Sequence, residues 1–143
     1  MSFLRSVVAM QPKGKRFDLG LLFLRLAVGG MMISAHGWGK IANFSTKMAT
    51  FSDPLGIGST ASLSLAVFAE VFCSIALIFG FATRLSAIPL LTTMLVAAML
   101  VHTHDPWAKK EFALVYAMIF ITLIFLGSGK YSLDYFLNRR LGS

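Results

Sequence analysis

Charge is scarce in this chain: only 13% of its 143 residues are Asp, Glu, Lys or Arg, about half the share of a water-soluble domain. With 57% hydrophobic residues and a mean hydropathy of +0.76, that scarcity excludes an ordinary soluble globule, a disordered chain and a nucleic-acid binder built on charge. Cysteine is nearly absent. The single Cys73 rules out an intrachain disulfide, a CxxC redox motif and a cysteine-built zinc site. Gly-rich phosphate loops, a Ser-His-Asp arrangement and nucleotide-binding motifs are missing as well.

What the chain does have is long apolar runs. A helix needs about 20 residues to cross a hydrocarbon core of about 30 Å. Four segments meet that length within its range: 18–36, 59–82, 85–101 and 111–126. Only Thr83 and Arg84 separate the second from the third, so those two form a tight antiparallel hairpin. Between the first and second, Ile41, Phe44, Met48 and Phe51 recur at helical spacing with Lys40, Asn43 and Lys47 opposite, which predicts an amphipathic helix on the membrane surface. The expected fold is all-α, a polytopic four-helix membrane bundle over 18–136. A basic tail or interfacial helix, with Phe3, Leu4, Val7 and Val8 on one face, occupies 1–17, and a short basic tail occupies 137–143.

The net charge of +7 is not spread evenly. Arg5, Lys13, Lys15, Arg16, Arg84, Lys130, Arg139 and Arg140 fall on one side of the expected bundle, and Lys40, Lys47, Lys109 and Lys110 on the other. By the excess of Lys and Arg in cytoplasmic loops, both termini are expected in the cytoplasm. His36, His102, His104, Asp105 and Glu111 are then placed on the outer side.

Two charges remain inside the apolar runs, and each costs at least about 2.5–3.5 kcal/mol unless it faces the bundle interior or finds a partner. These are Arg25 and Glu70. One reading makes them a buried ion pair that fixes helix register. The other makes Glu70 a proton carrier or the grip for a polar ligand. Residues eleven apart share a helix face, which puts Arg25 and His36 on one stripe and Glu111 at the mouth of another, near His102. An outer cluster of His36, His102 and Glu111, with Lys40 above and Glu70 below, is expected to handle protons or a polar head group, as oxidation of a quinol requires. A metal held by His36, His102 and Glu111 is the competing reading, although no HxxxH or ExxH spacing occurs. Neither haem nor flavin is expected.

Three stretches then carry a resemblance: Leu24-Arg25-Leu26-Ala27-Val28-Gly29 with His36-Gly37-Trp38-Gly39-Lys40; Glu70 with Gly80-Phe81-Ala82-Thr83-Arg84-Leu85; and Gly127-Ser128-Gly129-Lys130-Tyr131-Ser132-Leu133-Asp134. In this order and spacing the chain resembles the DoxX family of small bacterial membrane proteins over most of its length. The resemblance implies a four-helix bundle in the bacterial cytoplasmic membrane and, through relatives that serve quinone-linked oxidoreductases, a subunit that binds quinone. On that reading Glu70, His36, His102 and Glu111 handle protons, and Arg25, Lys40 and Glu70 contact the cofactor. The partners implied are the lipid bilayer and either a redox protein or further copies of the chain. A carrier or membrane scaffold, using the same polar groups for solute passage or packing, is the alternative.

Overall fold

The computed structural model describes residues 14–141, and every regular element among them is a helix. In chain order these are α1 (Lys15–Ala42), α2 (Phe44–Lys47), α3 (Ser59–Phe79), α4 (Thr83–Val101), α5 (Trp107–Leu126) and α6 (Leu133–Leu141). Three of them, α1, α3 and α4, are long and apolar enough to cross a bilayer, with mean hydropathies of 1.6, 2.2 and 1.8. The fourth long helix, α5, carries Lys109, Lys110 and Glu111 near its start, so its apolar stretch begins only at Phe112. Residues 1–13, with the expected interfacial helix, lie outside the described segment.

The four long helices share one core. Leu21, Val28 and Met32 from α1 meet Cys73 and Leu77 from α3, Leu90 and Met94 from α4, and Phe120 and Leu123 from α5. Outward-facing positions are equally apolar, as at Phe23, Leu85 and Phe125. An apolar interior with an apolar exterior is the pattern of a protein solvated by lipid. In lipid there is no hydrophobic drive between helices, so close approach depends on small residues. Gly29 and Gly37 supply them: a Cβ at Gly29 would stand 3.1 Å from Ser74 O, and one at Gly37 3.0 Å from Glu70 O. Through these two glycines α1 lies against the backbone of α3.

The segment between α1 and α3 differs from the expected single amphipathic helix. α1 runs on to Ala42, the backbone breaks at Asn43 with φ −116° and ψ 32°, and α2 adds one short turn. Phe44 and Phe51 are half-buried against Leu63, Val67 and Val71 of α3. Two of the four periodic apolar residues thus pack on the protein's own helix, while Ile41 and Met48 remain exposed. Asp53 ties the following loop to the start of α3, its carboxylate accepting from Ile57 N, Gly58 N and Ser62 Oγ at 2.8–3.0 Å.

Candidate functional site

Three of the helical rods carry a wide, i→i+5 turn: Met32–Gly37 in α1, Phe68–Cys73 in α3 and Ala97–Val101 in α4. The amide of Trp38 reaches back to Ile33 O, and that of His102 to Ala97 O. Such turns are rare and recur at functional sites. Here all three border one cavity of about 340 Å³, to which they contribute His36, Glu70, Ala97 and Val101. Lys40, Thr93, Tyr116 and the loop residues Phe51 and Leu55 complete much of the wall.

The polar corner of this cavity is built on α1 and α3. Lys40 Nζ sits 2.6 Å from Glu70 Oε2 and 3.1 Å from the carbonyl of His36, one turn earlier on its own helix. The Glu70 side chain is only 4% exposed, so the pair is held away from water. The His36 ring stands edge-on to Tyr116 of α5, centroids 5.5 Å apart. Across the cavity, His102 Nδ1 lies 2.6 Å from Asp105 Oδ2, and Lys109 Nζ lies 3.5 Å from the same oxygen. Hydrogen bonding from His102, with the Lys109 charge assisting, holds the Asp105 carboxyl below its ordinary range.

The expected pair of Arg25 and Glu70 does not form. Fully buried, Arg25 donates from Nη1 to Leu77 O at 3.4 Å and to Ile78 O at 3.5 Å, and from Nη2 to Tyr131 O. The reason is where the helices stop. α3 ends at Phe79, so its last carbonyls turn to partners outside the helix: Leu77 O accepts from Gly80 N at 3.0 Å and, with Ile78 O, from Arg25, about 10 Å along the helix from Glu70. Meanwhile α1 extends far enough to bring Lys40 to the carboxylate. Arg25 is accordingly not among the residues bordering the cavity.

Arg25 belongs to a second polar cluster at the opposite end of the molecule. There Asp134 accepts from Ala82 N at 2.6 Å and Thr83 N at 2.9 Å, while Asp18 accepts from Lys130 N at 3.0 Å. Gly80, at φ +66°, has no space for a side chain, because a Cβ would strike Arg25 Nη1 and come within 2.5 Å of Ser132 Cβ. The C-terminal segment is thus clamped onto α1 and the α3–α4 turn.

Of the other expected site residues, His36, Lys40, Glu70 and His102 border the cavity, whereas Glu111 is exposed on α5 and does not. Among the described residues no three His, Cys, Asp or Glu side chains lie together as a metal site would need, and Glu111 stands apart from His36 and His102 outside the cavity wall. Sequence reasoning missed Tyr116, Thr93, Ser62 and Lys109. For Tyr116 a signal was available, since it is the one phenol within the four apolar runs.

These features define a class: a small helical membrane protein with a cavity whose polar corner holds an ion pair with a buried carboxylate. The DoxX family pattern matches residues 20–103, more than half of the chain, and the chain belongs to that family. It is 28% identical over 127 residues to inner membrane protein YqjF of Escherichia coli, an alignment covering 86% of this chain and 95% of that one. It is 33% identical over 121 residues to an uncharacterized protein of Haemophilus influenzae, covering 80% of this chain and 87% of the other. No solved structure matches it. The chain is a membrane protein of the DoxX family, and the Escherichia coli relative's name supports the bacterial inner membrane as its location.

Proposed function

We propose that the chain is a membrane subunit of a redox system and binds a quinone or quinol in its cavity. The observation that carries this reading is the composition of the wall: Lys40, Glu70 and His36 gathered at one corner, with Phe51, Leu55, Leu65, Val96 and Phe112 among the apolar lining. A ligand suited to such a wall has an apolar body and a small head that both donates and accepts hydrogen bonds. The cavity's volume of about 340 Å³ is at the lower end of the roughly 300–1,000 Å³ typical of ligand sites, enough for a substituted ring and the start of a tail.

A quinone supplies the chemistry of two electrons and two protons. This chain's residues bind, orient and exchange protons: the Lys40 ammonium donates to a ring oxygen, the Glu70 carboxylate accepts from a hydroxyl, and His36 stands beside both. Electrons pass to a partner's redox centre. On this reading α5 is the fourth membrane-crossing helix, both termini are cytoplasmic as the Lys and Arg distribution indicates, and the cavity opens to the outer side. The test is mass spectrometry of the small molecules retained after gentle extraction. A quinone retained by the wild type and depleted from Glu70→Gln is the expected result; none in either overturns the reading.

A further inference from the structure

His102, Asp105 and Lys109 form a short chain of polar groups at the cavity rim, separate from the Lys40–Glu70 corner. α4 ends in its wide turn, and the His102 amide is held by Ala97 O at 2.9 Å, which fixes the residue against the cavity. Its Nδ1 meets Asp105 Oδ2 at 2.6 Å. An ionised carboxylate can only accept, so a neutral imidazole touching it through Nδ1 carries its proton on that nitrogen. Nε2, on the far edge of the ring, is left as a bare acceptor on a residue that borders the cavity.

We infer that Asp105 is a positioning residue, holding His102 in the tautomer whose Nε2 takes a hydroxyl proton from the cavity ligand and linking that acceptor to water outside. The use of the proton rests on the quinol reading above; the tautomer does not. His102 borders the cavity, and with side chains 31% and 36% exposed it and Asp105 both reach solvent. A proton leaving the ligand oxygen for Nε2 creates an imidazolium whose charge faces the Asp105 carboxylate. Loss of the Nε2 proton to water then restores the Nδ1-protonated imidazole.

The surrounding charges leave this arrangement to Asp105. Lys109 of α5 lies on the carboxylate, not on the ring. Lys110 donates to Thr103 O. His104 and Glu111 are exposed, and across the cavity Lys40 and Glu70 neutralise each other while His36 packs on Tyr116.

Nitrogen NMR of the full chain, labelled with 15N-histidine in lipid nanodiscs at about pH 8.5 where imidazole is neutral, reads the tautomer directly. The resonances lost in His102→Gln identify the ring. Wild type is expected to show a protonated Nδ1 and a bare Nε2. In Asp105→Leu nothing accepts from Nδ1, so the ring takes the Nε2-protonated tautomer and the bare Nε2 resonance is lost; Asp105→Glu keeps it. Decylubiquinol is expected to shift that resonance in wild type and to shift nothing at His102 in Asp105→Leu. An Nε2-protonated ring in wild type, or an unchanged tautomer in Asp105→Leu, overturns the inference. If the tautomer behaves as expected while decylubiquinol moves no histidine resonance, positioning by Asp105 stands and the quinol reading falls.

Discussion

Lys40 is the cation that makes Glu70 affordable in an apolar interior. Removing one partner of such a pair leaves an unpaired buried charge, at a cost of roughly 3–5 kcal/mol, whereas removing both is often close to neutral. Lys40→Met is therefore expected to lower the unfolding midpoint strongly, and Lys40→Met combined with Glu70→Gln to recover most of the loss. Thermal unfolding in detergent checks this, and equal losses in the single and double variants would show that the two charges are not coupled. At this scale the sequence marked the right residues: any charge in an apolar run needs a partner, which singled out Arg25 and Glu70. Their actual partners were not legible, because partner choice depends on where helices end. α3 ending at Phe79 turns the carbonyls of Leu77 and Ile78 to Arg25, and α1 extending to Ala42 delivers Lys40.

Among the elements, the apolar runs located α3, α4 and α5 to within four residues at each end, while α1 runs six residues past the expected end at His36; α1, α3 and α4 are long and apolar enough to cross a bilayer. The three wide turns were invisible, because one extra residue in a turn leaves no mark in hydropathy or spacing, and these turns supply His36 and Glu70 to the cavity wall. The part that the loop before α3 plays in walling the cavity with Phe51 and Leu55 was not legible either. That loop is pinned by the Asp53 carboxylate, which its hydrogen bond from Ser62, and then that from Gly58, keep below the ordinary range. A depressed pKa means that the hold is complete above the unfolded value of about 4 and is lost as the pH falls through the lower, folded value. Hydrogen exchange at Ile57 and Gly58 is expected to stay slow at neutral pH and, corrected for intrinsic rate, to rise toward pH 3; Asp53→Asn is expected to show the faster exchange already at neutral pH. Protection unchanged by that substitution would mean that the loop is held by its apolar contacts alone.

The molecule as a whole divides its polar groups between two ends. The stretches that carry the family resemblance divide in the same way. Arg25, Gly80 to Arg84 and Gly127 to Asp134 clamp the C-terminal segment, a structural task, while His36, Lys40 and Glu70 gather at the cavity. This division could not be read from the motifs, which look alike in sequence, and it moves Arg25 from the expected ligand site to the clamp. The functional weight then falls on one cavity and one buried carboxylate. Equilibrium binding of decylubiquinone to the purified chain in lipid nanodiscs measures that most directly. Saturable binding at one site per chain, weakened at least about tenfold in Glu70→Gln, the equivalent of about 1.4 kcal/mol, is the expected result. Partitioning into the lipid alone, or binding indifferent to Glu70 in a folded variant, would contradict it.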